Sequence, residues 1–141
     1  MVHKRDRVLI DTSGWICFFA RLGFPGIKKA IGFLLEENRA AIAGPVFVEL
    51  IQGYRNEAEK IDIEQSVQGL LWLSVLDRYW HLSAQLSFNL RRRGVTVSAM
   101  DALIATITID YGCQLLHQDK DYNFIAKQFT ALKLYNLRQP L

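Results

Sequence analysis

The sequence predicts an α/β/α sandwich with a mainly parallel central sheet flanked by helices. Short apolar runs bounded by polar residues alternate with longer segments of helical spacing. Some connections between these runs contain two predicted helices, which is typical of α/β folds with a parallel sheet. Half of the 141 residues are hydrophobic, enough to build a core. We therefore expect residues 1–141 to form one folded domain.

Each element has a local signal. Strands are predicted where a short apolar run ends at polar residues, and helices where apolar residues share one helical face. Pro45 suits a first helical turn, and Gly94 and Gly112 mark helix ends. In chain order we predict strand 7–10, helices 13–22 and 27–37, strand 40–43, helices 44–54, 57–73, 77–93 and 98–111, strand 114–117, helix 122–128 and strand 132–137. Val75 and Leu76 are ambiguous.

Composition excludes some classes of protein. No apolar run reaches a membrane-spanning length, and the charged N-terminus leads into no signal-like stretch, so we expect a soluble cytoplasmic protein. Cys17 and Cys113 lie in apolar surroundings without CxxC spacing, which favours reduced core residues over a disulfide or zinc pair. The formal net charge of +3 and pI of about 9.0 are compatible with nucleic-acid binding without requiring it.

Carboxylates stand at several predicted element boundaries. Asp11 follows the first strand, and Glu49 lies in the first turns of the helix after the second. Asp101 begins a long helix, and Asp119 and Asp121 follow the strand after it. If the strands that precede them are parallel neighbours, these acids meet at one sheet edge. Clustered carboxylates repel unless a cation is present, and Mg²⁺ prefers oxygen ligands, so the pattern predicts a metal site suited to phosphodiester hydrolysis.

Each acid also has a purely structural interpretation. Asp11, Asp119 and Asp121 are natural helix N-caps, and Asp101 completes the capping-box pattern S-x-x-D. For Asp11 alone the structural and functional interpretations are equally supported. Taken singly, Glu49 is better read as a solvated helix residue. The prediction of a metal site therefore depends on the joint placement of these acids.

Three segments resemble a known family. They are VLIDTSGWI at 8–16, VFVELIQGY at 46–54 and RRRGVTVSAMDALIATITIDYGCQLLHQDKDY at 91–122. In this order they resemble the PIN-domain ribonucleases, and in particular the VapC-type toxins of bacterial toxin–antitoxin pairs. The third segment is the most specific, because it combines an acid, an apolar helix, a glycine stop, a strand and an acid pair at family-like spacing.

The resemblance implies a single PIN-like nuclease domain with Mg²⁺- or Mn²⁺-dependent endoribonuclease activity. The metal-site and catalytic acids that it implies are Asp11, Glu49, Asp101 and Asp119, with Asp121 in a lesser role. Ser13 would support the first acid. We expect Glu49 to orient a water for in-line attack on phosphorus, without a covalent intermediate. The implied partners are an RNA substrate, a second copy in a homodimer, and a cognate antitoxin whose C-terminal tail covers the acidic pocket.

The chain departs from the family pattern at two positions. His117 stands where the family usually has Thr or Ser, and we expect it to support the site by hydrogen bonding; the alternative is contact with the phosphate or the metal. Tyr122 replaces Phe, a conservative change for packing.

Basic residues lie close to these acids in the sequence. Arg91, Arg92, Arg93 and Lys120 are candidates for steering RNA phosphates. For two of the three arginines, complementing the helix dipole at a solvated surface is at least as good an interpretation.

Aromatic residues are frequent in the first half of the chain. We expect most of them in the core and some on an apolar groove or dimer surface; they are Trp15, Phe18, Phe19, Phe24, Trp72 and Trp80.

Two other functional classes remain open. A PIN-like module could bind RNA or protein without cutting, although the complete set of acids argues against it. A phosphotransfer enzyme with an Asp nucleophile is a second alternative. Enzymes of the haloacid-dehalogenase type need a second Asp two residues after the first, where Ser13 stands, and a response-regulator receiver needs paired acids after its first strand.

Overall fold

The computed structural model describes residues 6–137. Within this range the chain forms five strands and seven helices, in alternation along most of its length. In order they are β1 (Val8–Ile10), α1 (Thr12–Phe19), α2 (Pro25–Glu36), β2 (Ala40–Ala43), α3 (Gly44–Gln52), α4 (Glu57–Val67), β3 (Leu71–Leu73), α5 (Arg78–Arg92), α6 (Ala99–Tyr111), β4 (Gln114–Leu116), α7 (Lys120–Gln128) and β5 (Lys133–Leu134).

The strands form one parallel sheet in the order β3-β2-β1-β4-β5. At its centre β1 pairs with β2 and β4, with Val8 opposite Ala40 and Ile10 opposite Leu116. Every residue of β1 and β2 is buried, as expected for a parallel sheet covered on both faces. The predicted sandwich is confirmed. The strands that precede Asp11, Glu49 and Asp119 are parallel neighbours, which was the condition for their acids to meet at one edge.

The prediction of one helix over residues 57–73 is wrong in its last six residues, 68–73. The helix α4 ends at Val67, and the chain then turns through Gly69 into the strand β3. Leu71 and Leu73 pair with residues of β2, and Trp72 Nε1 donates a hydrogen bond to the Val67 carbonyl over 3.1 Å. Pairing with β2 therefore outweighs the helical spacing of this apolar run. Val75 and Leu76, which the sequence left ambiguous, lie in the coil after β3.

Other element boundaries shift by a few residues. The helix α1 ends at Phe19 because Ala20 adopts an extended conformation, and α2 begins at Pro25. The helix α7 starts at Lys120, two residues before the predicted start. The last strand is limited to Lys133–Leu134, although the Tyr135 amide still donates to the Leu115 carbonyl.

Of the six aromatic residues singled out from the sequence, fewer lie in the core than predicted. Trp15 is buried and stacks on Phe19, with ring centroids 5.8 Å apart, and Phe18 lies edge-on to both rings. Three of the six are instead substantially exposed, namely Phe24, Trp72 and Trp80. Both cysteines are free and buried, so their assignment as core residues is confirmed.

The helix α6 is buried along most of its length, and this packing fixes the position of its first turn. Its residues from Ala102 to Thr108 are all buried. Gly112 ends the helix with a φ of 66°, a conformation that favours glycine, and this turn leads directly into β4. Among the described residues, no helix is both long enough and apolar enough to cross a membrane.

Candidate active site

Acidic residues follow the carboxyl ends of two adjacent central strands. Asp11 comes directly after β1, and its amide donates to the Leu116 carbonyl at the end of β4 over 2.9 Å. Asp119 lies three residues further along from Leu116 and caps α7. Since β1 and β4 are parallel neighbours, both acids lie at the same edge of the sheet, where functional groups of such folds gather.

Three carboxylates form a close group at this edge. Asp101, Asp119 and Asp121 each offer an oxygen, and these oxygens all lie within 4.8 Å of one another. The three side chains are half-buried, so the group is open to solvent on one side. Asp121, to which the sequence assigns the lesser role, is thus one of the three.

Asp11 is joined to this group through a tyrosine. The Tyr122 hydroxyl lies 2.8 Å from Asp11 Oδ1 and 3.2 Å from Asp101 Oδ1. Asp11 is only 5% exposed, and Tyr122 is fully buried. Burial and the two carboxylates keep the pKa of Tyr122 far above its ordinary value, so its hydroxyl stays protonated and can donate.

Glu49 lies beside Asp11 rather than within the close group. Its Oε1 accepts a hydrogen bond of 2.9 Å from Thr12 Oγ1, and Thr12 is the residue directly after Asp11. The helix α3, which carries Glu49, packs on both α1 and α6. The structure therefore brings Glu49 to the same edge as the other acids, held by a threonine.

The capping interpretations describe part of the geometry. Asp11 caps α1 by accepting from the Ser13 amide, and Asp119 caps α7 by accepting from the Asp121 amide. Ser98 caps α6, since Asp101 N donates to its Oγ over 3.0 Å. The Asp101 carboxylate bonds to Tyr122, however, so it does not act as an ordinary capping-box acid. Capping fixes the backbone at these positions and leaves carboxylate oxygens directed to a shared site.

Ser13 supports Asp11 directly. Its backbone amide and hydroxyl both donate to Asp11 Oδ2, over 3.0 Å and 2.6 Å. The hydroxyl also accepts from the Gln118 amide over 3.0 Å. With these contacts the Ser13 hydroxyl is oriented towards the acid and is not poised as a nucleophile.

His117 orients the loop that carries Asp119. Its Nδ1 accepts a hydrogen bond of 3.0 Å from the Asp119 amide, and its ring lies 5.1 Å from that of Tyr122. Burial lowers the pKa of His117, against the opposing effects of Asp11 and Asp119. An accepting Nδ1 and a lowered pKa describe a neutral imidazole. A Thr or Ser hydroxyl at this position could accept from the same amide, which explains physically how His can stand in that place.

The acids suit a divalent cation. Burial, followed by the charge of Asp119, raises the pKa of Asp101 to about 6. Without a nearby positive charge, the ionised form of this carboxylate is therefore disfavoured. The ion pairs within residues 6–137 involve Glu57, Glu64 and Asp110, so no lysine or arginine neutralises the acids at this edge. The ligand atoms that Asp101, Asp119 and Asp121 offer are carboxylate oxygens, which hard cations such as Mg²⁺ prefer.

The predicted RNA-steering residues differ in their contacts. Arg93 is bound to the protein itself: its Nη1 donates to the Gln128 carbonyl over 2.8 Å, and its guanidinium lies 4.6 Å from the Phe129 ring centroid. Arg92 lies over Phe88 at 5.8 Å. Arg91 and Lys120 are exposed and make no ion pair among the described residues.

Sequence reasoning missed two contacts. The bond from Thr12 to Glu49 and the hydroxyl of Tyr122 between two acids were not predicted. For Tyr122 a signal existed, because a hydroxyl stood where the family pattern has only an apolar ring.

Comparison with known proteins agrees with the fold. The sequence model of the PIN domain family matches residues 8–128. The chain is 32% identical over 134 residues to Ribonuclease VapC11 of Mycobacterium tuberculosis, a match that covers 93% of this chain and 99% of that protein. The chain belongs to the PIN domain family and is of the VapC type.

Two solved structures share the fold. VapBC2 from Rickettsia felis, bound to a DNA fragment from its promoter, matches with a TM-score of 0.73 and 16% identity over 92% of this chain and 97% of that one. FitAcB from Neisseria gonorrhoeae matches with a TM-score of 0.72 and 14% identity, covering 94% of this chain and 99% of that one. At these identities the likeness is one of fold, and it agrees with the parallel sheet of this PIN domain.

Proposed function

We propose that this PIN domain protein is an endoribonuclease that hydrolyses RNA phosphodiester bonds with a divalent cation, and that it is the toxin of a toxin–antitoxin pair. The observation that carries the proposal is the meeting of Asp101, Asp119 and Asp121 at the edge where Asp11 follows β1. The curated relative with 32% identity is named a ribonuclease of the VapC type. We treat residues 1–141 as one domain in the cytoplasm, as the sequence predicts.

The cation site would be formed by oxygen ligands alone. Asp101, Asp119 and Asp121 would hold the ion, with Asp11 and Glu49 contributing from the β1 side. We propose Mg²⁺ or Mn²⁺, which are the hard cations usual at such carboxylate sites. When bound, the cation supplies activation of a water and neutralisation of charge on the phosphate and its leaving oxygen.

The protein's own groups then have separate tasks. Glu49 would orient the attacking water, because its second oxygen receives no hydrogen bond from residues 6–137 while Thr12 holds the first. Ser13 holds the Asp11 carboxylate in its orientation through two hydrogen bonds. His117 holds the loop of Asp119 in place. None of these groups needs to become covalently attached to RNA, so a direct in-line hydrolysis is the mechanism we propose.

RNA binding would use the basic residues around the acids. Arg91, Arg92 and Lys120 are exposed and are suited to contact phosphates on the approach to the site. Arg93 is better suited to joining α5 to the end of α7, because its guanidinium is already engaged. This division refines the set of steering residues that the sequence predicts.

We also propose a homodimer and a cognate antitoxin as partners. Several solved structures of the same fold are VapBC complexes, and one of them is described as a member of the VapBC family of toxin–antitoxin systems, which supports an antitoxin for this chain. A basic side chain of the antitoxin tail, placed among the acids, would complement their negative charge.

The test compares cleavage by the native chain with cleavage by single Asp→Asn variants. With Mg²⁺ or Mn²⁺ and single-stranded RNA, we expect Asp11→Asn and Asp101→Asn to abolish cleavage while the circular dichroism spectrum stays native. Asp77→Asn is the control, since Asp77 is exposed at the start of α5 and makes no capping bond. Full activity of Asp101→Asn would overturn the assignment. Stabilisation by the cation without cleavage of any RNA would favour a binding module instead.

A further inference from the structure

Tyr122 contacts both the acid after β1 and the acid of α6. Its ring is fully buried in the first turn of α7 and packs beside His117. Its hydroxyl reaches Asp11 Oδ1 at 2.8 Å and Asp101 Oδ1 at 3.2 Å. Three elements that are distant in sequence thus meet at a single oxygen atom.

A tyrosine hydroxyl has one hydrogen, so it cannot give a full hydrogen bond to both acids. The shorter contact makes Asp11 the principal acceptor, and Asp101 receives the weaker share. Without this hydroxyl, the buried carboxylate of Asp11 and the half-buried carboxylate of Asp101 would face each other with no donor between them, and their repulsion is large where water is excluded.

The hydroxyl also limits which oxygens remain open. A carboxylate has about four acceptor positions. On Asp11, Ser13 occupies Oδ2 with two donors and Tyr122 occupies one position of Oδ1. The open position of Asp11 is therefore on Oδ1, the oxygen that Tyr122 touches. On Asp101, Oδ2 receives no hydrogen bond from the described residues.

We infer that Tyr122 is a positioning residue of the cation site, whose hydroxyl fixes the separation and orientation of the Asp11 and Asp101 carboxylates. The inference rests on the proposed function, since it assigns these two acids to one cation. A ring locked in the core has little freedom to move, so the hydroxyl sets the acids before the ion arrives. Phenylalanine would fill the same volume and lose this effect.

The chain supplies a matched control for the test. Tyr79 is also buried, and its hydroxyl donates to Asp110 over 2.8 Å. It belongs to a separate cluster with Arg78, which forms an ion pair with the same carboxylate. Tyr79→Phe therefore removes the same atom and a similar bond without touching Asp11 or Asp101.

The experiment is a titration of the full chain with Mn²⁺, following free Mn²⁺ by electron paramagnetic resonance. We expect Tyr122→Phe to weaken Mn²⁺ binding about tenfold or more, the usual effect of losing a partner that orients a metal ligand. Tyr79→Phe should bind as the native chain does. Equal or tighter Mn²⁺ binding by a folded Tyr122→Phe variant would overturn the inference.

The same samples separate this inference from the proposed function. A native chain that binds Mn²⁺ but cuts no RNA overturns the ribonuclease proposal, and the titration of Tyr122→Phe still decides the role of the hydroxyl. A native chain that binds neither Mn²⁺ nor Mg²⁺ overturns both. Cutting by the native chain together with an unchanged titration in Tyr122→Phe overturns the inference alone.

A second measurement covers the case in which Tyr122→Phe does not fold. The native chain, labelled with ¹³C at tyrosine Cζ, is titrated with Mg²⁺, and the signals of the five tyrosines are assigned with Phe variants of the other four. We expect the Tyr122 signal to move as Mg²⁺ binds and the Tyr79 signal to stay. A Tyr122 signal that does not respond to saturating Mg²⁺ would contradict the inference.

Discussion

The backbone amide of Gln118 donates a hydrogen bond of 3.0 Å to Ser13 Oγ, across 105 residues of sequence. The same hydroxyl donates to Asp11 Oδ2 over 2.6 Å. One serine therefore joins the loop after β4 to the acid after β1, and the relative position of the two sides of the candidate site depends on it.

Replacing Ser13 should affect cleavage more than stability. We expect Ser13→Ala to slow RNA cleavage about 10- to 100-fold, because Asp11 loses a partner that orients it. The free energy of unfolding should fall by about 1–2 kcal/mol, since two hydrogen bonds are lost. Single-turnover cleavage and urea unfolding measure the two effects.

The control for this change is Ser66→Ala. The Ser66 hydroxyl also donates a hydrogen bond, in this case to the Asp62 carbonyl, but it lies on the exposed helix α4 away from the acids. The Ser66→Ala variant should cleave RNA at the rate of the native chain. If Ser13→Ala cleaved RNA at the native rate, the orientation of Asp11 would not depend on this hydroxyl.

Glu49 can be tested by removing its charge while keeping its shape. In Glu49→Gln the side-chain carbonyl can still accept the hydrogen bond from Thr12 Oγ1, so the stability should change by less than about 0.5 kcal/mol. Cleavage should fall by about 100-fold or more, because an amide is a poor base and a poor cation ligand. Glu36→Gln, at an exposed position near the end of α2, should leave the rate unchanged. If Glu49→Gln cleaved RNA at the native rate, the only role left for Glu49 would be its hydrogen bond with Thr12.

The parts of the fold that sequence could predict are those whose signals are local. The strand β1 and the glycine stop of α6 have apolar runs or turn residues that allow few alternatives. The strand β3 does not, since Leu70 to Leu73 fits a helix or a strand and only pairing with β2 decides. The same limit explains the exposed Trp72 and Trp80, because exposure depends on which face neighbouring elements cover.

The candidate site shows the same division. The acids were predictable because parallel strands direct the residues after them to one edge. The contacts of Thr12 and Tyr122 were not, because their partners lie 37 and 111 residues away and hydrogen bonds leave no pattern in a single sequence. The strong contact of Arg93 with α7 was hidden for the same reason, within a run of three identical residues.

The raised pKa of Asp101 predicts a pH dependence of the metal-free protein. The group titrates at about 6 in the folded chain, against 3.8 as its ordinary value, chiefly because it is buried. Between these values the folded state binds more protons than the unfolded state, so this group's contribution to stability falls as pH rises through that window and is level above it. In EDTA, the stability of Asp101→Asn relative to the native chain should therefore increase from pH 4 to pH 7. A difference that does not vary with pH would contradict the raised pKa.

Cation binding should favour the ionised form of Asp101. A cation needs the ionised carboxylate, so binding below pH 6 should release part of a proton from Asp101, whereas binding at pH 7.5 should release almost none. Calorimetric titration with Mg²⁺ in two buffers of different ionisation enthalpy measures the protons released. Proton release that is the same at pH 5.5 and pH 7.5 would show that Asp101 is not among the ligands.

The three consecutive arginines should separate into two kinds. Arg93→Lys keeps the charge but loses the planar contact with Phe129 and the fixed bond to the Gln128 carbonyl, so we expect stability to fall by about 1 kcal/mol while RNA binding is kept. Arg91→Ala should do the opposite, leaving stability unchanged and reducing the salt dependence of RNA binding by about 0.7 in log–log slope, the value for one contact with a single strand. Urea unfolding and RNA binding to an uncleavable analogue at several salt concentrations measure both. If the two variants behaved alike, the run would act as an undifferentiated patch of charge, and the contacts of Arg93 with α7 would have no separate role.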